Sequence, residues 1–462
     1  MNRKKELLYN TIVIGVGNIF SKSLSFLMVP LFTMWLSTEE YGTYDVINSY
    51  ISLVVPLVTL QIEQAIMRYC IDMPQRSKEF LYHAVVIICI NSMLLSCVII
   101  CTDWSHGVAF SLNVVTYSFF LCVSEWVRGK KKLVDYSKAN IINAICAFCY
   151  SVLAAVVLKA NVDKLLVAYS LSYVTATLYL LKSNWKEIKN EKWKLSIETY
   201  KMLFLYALPL LPNALSWWVT NVSDRTLISL FLGKQFNGIY AVSCKIPTLI
   251  AVFFSIFNLA WQQSAISSSN DDENSKKAFY SDTITVLINF LFSGASIIIA
   301  FTPIFYFIGI NKSYWSGMSL VPILLLGSIF LNLAQYCGGI LLAQKATSVN
   351  GVTAVVAAVI NLSVNFALIE TIGLYAAAIS TLFSYIVLFG LRISKLNQVL
   401  DGKSIIKKTI CGSVIFSLFA FFSIKNSSLF VSAIIVVVAI IYFIYANKSM
   451  VWKTLLFLKG KI

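Results

Sequence analysis

A few ionisable side chains fall inside otherwise apolar runs of this chain, among them Lys22, Glu63, Asp224, Arg225 and Lys245. A cation at bilayer depth costs about 2.5–3.5 kcal/mol on the insertion scale, so such groups are expected to face a protein-lined or watery interior. Lys22 sits near the middle of its run. Arg225 lies about seven residues from the end of its run, roughly 10 Å deep at about 1.5 Å per residue, and Lys245 about as deep from the same side. Three cations around a low-dielectric space would attract a phosphate or a carboxylate. A purely structural reading stands beside this one. Arg225 could pair with the adjacent Asp224, and Lys22 could snorkel or bond backbone carbonyls.

Other polar groups fall near the inner ends of two runs: Glu63 with Gln61 and Gln64, and later Trp261, Gln262 and Gln263. Amides and an aromatic face suit sugar hydroxyls, although an interfacial belt accounts equally for the tryptophan. Asp45, Glu63 and Asp224 are candidates to bind a coupling H+ or Na+. Pro30, Pro56, Pro209 and Pro212 each remove a helix hydrogen bond. Pro30, Pro209 and Pro212 are candidate gating kinks, or kinks that only shape packing. Asn361 and Asn365, one turn apart, read as interhelical glue.

Catalytic and metal chemistry find little support. The ten cysteines lie mostly in apolar runs, where a thiol behaves as a small hydrophobe. Cys146 and Cys149 form a CxxC with no second pair or nearby histidine. The two histidines, His83 and His106, are far apart in sequence. No cofactor, metal or catalytic residue is expected.

The elements that must hold these groups are membrane helices. Apolar residues make up 58% of 462, charged residues 13%, and mean hydropathy is +0.77, against about half apolar and a quarter charged in soluble domains. Runs of about 20 apolar residues span a bilayer as helices. We read fourteen: 11–36, 41–66, 80–101, 107–127, 138–158, 165–181, 202–232, 238–262, 281–308, 314–343, 348–369, 372–391, 409–424 and 428–446. The first follows Arg3, Lys4 and Lys5 but lacks a cleavage site, and is expected to remain as a helix. Of the 37 Lys and Arg residues, 29 fall in the termini and even-numbered turns, Arg392 among them. Only Lys159, Lys164, Lys234, Lys312 and Lys425 fall in the opposite turns. This asymmetry predicts cytoplasmic termini. The charge of +16 is therefore topological, with anionic lipid headgroups rather than nucleic acid as its partner.

The longest polar connection, 182–201, reads as an amphipathic segment on the inner leaflet, or as a solvated linker. It divides an N-terminal lobe (1–181) from a C-terminal lobe (202–395), with 396–462 forming two peripheral helices and a basic tail. A repeat supports the division. Gly42 and Tyr44 recur as Gly238 and Tyr240, and Ala168–Ser170 echo Ala378–Ser380. Six spans separate the copies, so they are parallel repeats, predicting two pseudo-symmetric six-helix lobes.

On SKSLSFLMVPLFTMWLSTEEYGTYDV (21–46), YALPLLPNALSWWVTNVSDRTLISLFLGKQFNGIYAV (206–242) and LLAQKATSVNGVTAVVAAVINLSVNFALIETIGLYAAAIS (341–380), the chain resembles the polysaccharide transporter and oligosaccharide flippase family. These are the O-antigen flippases of the superfamily that includes multidrug MATE exporters and the lipid II flippase. The resemblance covers roughly 5–395. It implies two lobes forming a V, with two extra helices in some members. It also implies that an oligosaccharide on undecaprenyl pyrophosphate is turned from the inner to the outer leaflet of a bacterial cytoplasmic (inner) membrane. Cationic cavity residues would handle the pyrophosphate, a role Lys22, Arg225 and Lys245 could fill by position. Polysaccharide polymerase and chain-length machinery are the implied partners, besides the lipid-linked substrate and membrane lipids.

Two other transport or transfer functions compete. A cation-coupled multidrug exporter would favour an acidic cavity. A membrane glycosyl polymerase or ligase would carry a large external loop, whereas the external turns here hold about a dozen residues or fewer. A scaffold for envelope assembly would leave the buried charge unexplained.

Overall fold

A computed structural model describes residues 3–189, 195–267, 273–344, 346–425 and 428–448, and these contain helices and turns with no strand. Seventeen α-helices follow in order: α1 (Arg3–Trp35), α2 (Thr38–Thr59), α3 (Ile62–Asp72), α4 (Ser77–Ile100), α5 (Gly107–Gly129), α6 (Leu133–Leu158), α7 (Val162–Ser183), α8 (Trp185–Ile188), α9 (Ile197–Ala207), α10 (Leu211–Phe231), α11 (Lys234–Ser267), α12 (Glu273–Gly309), α13 (Val321–Ala343), α14 (Thr347–Ile372), α15 (Leu374–Ser394), α16 (Gly402–Lys425) and α17 (Leu429–Ala446). All-helical architecture is what a membrane demands, because a helix satisfies its backbone groups internally.

Among the described residues ten helices are long and apolar enough to cross a bilayer, and eleven if the bent pair α2–α3 counts as one span. Each of the fourteen predicted runs lies on helix, but the described parts of α1, α10 and α11 are not among these ten or eleven. In α1 the described apolar part is Ile19–Trp35; α10 is diluted by Asn221, Ser223, Asp224, Arg225, Thr226 and Ser229. The protein is a multi-pass membrane protein.

Local sequence explains where the helices begin. Ser37 and Glu40 form a reciprocal capping box at α2, while Asn161 caps α7 and Ser196 caps α9. The expected interruption at Pro209 and Pro212 is a 3-10 turn, Leu208–Leu210, between α9 and α10. By contrast, Pro30 and Pro56 lie inside continuous helices.

The second predicted run departs from a single rod. It breaks at Leu60 and Gln61, both at positive φ (51° and 58°), and α3 leaves at 52° to α2. The break falls four residues beyond Pro56, where no glycine or asparagine marks it.

The chain divides into two compact units, Met1–Ser229 and Leu230–Ile462. This boundary falls within α10, rather than at 182–201. In the first unit α5 packs on α3, α4 and α7, and α6 packs on α1 and α7. Its core holds Ile62, Ile66, Phe80, Cys122 and Trp126, all fully buried. In the second, α13 packs on α11 and α15, α14 on α15, and both α16 and α17 lie against α12. Asn361 on α14 donates to Thr381 on α15 at 3.2 Å, the expected glue. The repeat keeps its register in each unit taken alone. Tyr44 lies six residues into α2 and Tyr240 six into α11, and both rings are buried.

Of the 182–201 connection, α8 and the start of α9 are described. Glu187 on α8 pairs with Lys130 and Lys132 from the α5–α6 turn, and Trp185 is exposed.

Candidate functional site

Arg225 is held by a carboxylate from another helix. The guanidinium reaches across from α10 to α2, where its Nε donates to Asp45 Oδ2 at 2.6 Å. The Arg225 and Asp45 side chains are only 18% and 10% exposed, so the pair is largely shielded from solvent. Two turns earlier on α10, Trp218 Nε1 donates to the Ser49 carbonyl at 2.7 Å. Residue numbers run in opposite senses at the two contacts, so α10 docks antiparallel on α2. Tyr44, beside Asp45, packs edge-on to Phe32 of α1 and against Tyr169 of α7. Asp224 is buried on the same helix as Arg225.

Lys22 is exposed and Lys245 half-buried. Lys22 belongs to α1 in the first unit and Lys245 to α11 in the second.

The break after α2 places three further predicted residues. Gln61 occupies the bend itself, and Glu63 and Gln64 open α3. Glu63 is 4% exposed, and its Oε2 has no hydrogen-bond partner. Thr59, just before the bend, accepts from the Gln61 amide at 3.3 Å. The side chains of Trp261 and Gln262 lie outside the described residues. Among the described residues no group of three or more His, Cys, Asp or Glu could hold a metal ion.

Two buried ionic groups escaped the sequence reading. Glu125 on α5 is 6% exposed and accepts from Arg128 one turn on, at 3.2–3.3 Å. Arg392, counted above in a polar turn, belongs to α15 and is 7% exposed. It donates to the Ala334 carbonyl on α13 at 2.8 Å, and to the Asn350 carbonyl and Thr353 Oγ1 on α14 at 3.3 and 3.2 Å. Helical spacing held the signal: Tyr385, Leu388 and Phe389, at i−7, i−4 and i−3, form the buried face that Arg392 continues.

The model of a family described as polysaccharide biosynthesis protein matches residues 7–262. Over 258 residues the chain is 22% identical to "Lsg locus putative protein 1" of Haemophilus influenzae, covering 54% of this chain and 64% of the relative. It thus spans under two thirds of that relative. Over 392 residues it is 20% identical to "Probable low-salt glycan biosynthesis flippase Agl15" of Haloferax volcanii, covering 83% and 82%. Among solved structures, an inward-facing MATE family multidrug transporter of the MOP superfamily aligns at TM-score 0.65 and 13% identity, covering 88% of this chain and 96% of that one. The lipid II flippase MurJ, in an inward closed conformation, aligns at TM-score 0.61 and 12% identity, covering 98% and 99%. At these identities the likeness is one of fold.

Proposed function

The chain belongs to the polysaccharide biosynthesis protein family, and from that premise we propose that it is a flippase, a transporter that moves a lipid-linked oligosaccharide across the membrane rather than an enzyme. The reading is supported by the family, by the name of the Haloferax relative and by charge placed inside apolar helices. The observation that carries it is Arg225, a cation on α10 held by the largely shielded carboxylate of Asp45 on α2. An unsheltered pyrophosphate faces a prohibitive desolvation cost in hydrocarbon. A pre-positioned guanidinium offsets it, since its planar fork matches phosphate oxygens. In this scheme the headgroup competes with Asp45 for Arg225, while Lys22 and Lys245 supply further positive charge along the path. The prenyl tail stays in lipid, so the protein shelters only the polar part.

The substrate in this proposal is an O-antigen or capsule-type repeat unit on undecaprenyl pyrophosphate. It moves from the cytoplasmic to the outer leaflet of a bacterial inner membrane by alternating access. Both termini are cytoplasmic. Gln61, Gln64, Trp261 and Gln262 would meet sugar hydroxyls, and Pro30, Pro209 and Pro212 would flex. A coupling H+ or Na+ would use Asp45, Glu63 or Asp224, and polymerase and chain-length proteins would take the product onward.

The buried acids Asp45, Glu63, Asp224 and Glu125 favour a second reading, a cation-coupled multidrug exporter. Leaflet-resolved detection of lipid-linked sugar in cells lacking this chain separates the two. The flippase reading expects sugar to accumulate on the inner face and wild type to relieve it. Unchanged outer-leaflet delivery, with altered drug susceptibility, would replace it with the exporter.

A further inference from the structure

Tyr117 and Tyr173 place two phenol hydroxyls midway along membrane helices. Tyr117 lies near the middle of α5 and Tyr173 near the middle of α7, and both are half-buried. Their rings stack at 4.7 Å, and Phe120 of α5 also stacks on Tyr173 at 5.7 Å. Among the described residues neither hydroxyl has a hydrogen-bond partner. Other tyrosines of the same unit are bonded. Tyr69 donates to the Met202 carbonyl at 3.2 Å, and Tyr150 pairs with Thr175 at 3.1 Å. A covered phenol normally finds such a partner. A hydroxyl turned to hydrocarbon would forfeit its hydration, and an interfacial anchor belongs at the end of a span rather than its middle. The two hydroxyls therefore suit a polar cargo that passes them.

A row of rings joins them to the cation on which the transport reading rests. One turn before Tyr173 on α7, Tyr169 packs against Tyr44 of α2 at 6.3 Å. Tyr44 adjoins Asp45, the carboxylate that holds Arg225. The Tyr169 hydroxyl is already engaged, donating to Met28 Sδ of α1 at 3.6 Å. All of these residues lie in the first unit. A helical turn rises about 5.4 Å, so a cargo with its phosphate on Arg225 would lay the groups that follow along this row. Ring faces suit the C–H face of a sugar, and phenol hydroxyls can both donate to and accept from its hydroxyls. A lipophilic drug cation needs only the ring faces, which phenylalanine would supply as well.

We propose that Tyr117 and Tyr173 form a saccharide subsite, their hydroxyls bonding sugar hydroxyls while the headgroup phosphate lies on Arg225. This rests on the flippase reading and adds to it the groups that recognise the sugar. Recognition then falls on α5 and α7, besides Gln61 and Gln64 at the start of α3. The subsite binds and releases; no covalent step is involved.

The double variant Tyr117→Phe/Tyr173→Phe of the purified full-length protein tests this, since it keeps both rings and removes both hydroxyls. Two probes are compared: the lipid-linked saccharide extracted from cells lacking this chain, and bare undecaprenyl pyrophosphate. The variant should melt with the wild type or above it, because no bond within the protein is lost. It should bind bare undecaprenyl pyrophosphate as the wild type does, and the saccharide-bearing lipid at least about tenfold more weakly. Outer-leaflet delivery in cells should fall with that affinity. Unchanged affinity for the saccharide-bearing lipid, or unchanged delivery, overturns the subsite. An equal loss for both probes, or a lowered melting temperature, overturns it too, and in all four cases the flippase reading stands. Failure of that reading would appear instead as deletion cells that accumulate no lipid-linked saccharide on the inner face, and the subsite would fall with it.

Discussion

Arg225→Ala and Asp45→Ala are each expected to lower stability by about 3 kcal/mol, the low end of the range for breaking a buried ion pair. Either change removes a largely shielded ion pair between α2 and α10, and the pair is not wholly sealed from solvent. Thermal melting of the purified protein measures the loss. Function should separate from stability in the reversed pair, Asp45→Arg with Arg225→Asp. That variant restores attraction between α2 and α10 and should recover much of the melting temperature. It should not recover leaflet delivery, because the cation has moved to the other helix and no longer presents its fork from α10. Wild-type delivery by the reversed pair would make the interaction purely structural.

Arg392→Ala should cost about 3–5 kcal/mol. The guanidinium ties α15 to carbonyls and a hydroxyl on α13 and α14. Its removal takes away three hydrogen bonds from a charged group, about 1.5–3 kcal/mol each, partly offset by ending the burial of a charge. Arg392→Lys keeps the charge but cannot span the three acceptors with one ammonium, and should fall between alanine and wild type. Gly338 supplies an independent check on the same contact. A Cβ there would lie 2.8 Å from Arg392 Nη1 and 2.9 Å from Asn350 Oδ1, so Gly338→Ala must displace the guanidinium. Thermal melting reads all three variants. An Arg392→Ala protein that melts with wild type would remove the brace from the account.

Most of the fold was legible because a membrane imposes a simple code. Apolar length marks helices, and the repeated Gly42–Tyr44 and Gly238–Tyr240 mark equivalent helix starts. The ionisable residues inside the runs were equally visible. Pairing was not, because Asp45 and Arg225 are 180 positions apart and only tertiary packing brings them together. The α2–α3 break was hidden because leucine and glutamine give no turn signal at positive φ. Arg392 and Glu125 were missed near the ends of runs, where a charge ordinarily marks the membrane surface; the helical periodicity of Tyr385, Leu388 and Phe389 carried the better information.

The central claim is that intramembrane cations recognise an anionic lipid headgroup. Its most direct test compares binding of undecaprenyl pyrophosphate and uncharged undecaprenol to the purified full-length protein, wild type against the Lys22→Gln/Lys245→Gln double variant. The account predicts preference for the pyrophosphate, an affinity that falls as salt rises, and a loss of at least about tenfold in the double variant, about 1.4 kcal/mol. Equal binding of the two lipids, or wild-type pyrophosphate affinity in the double variant, would contradict it.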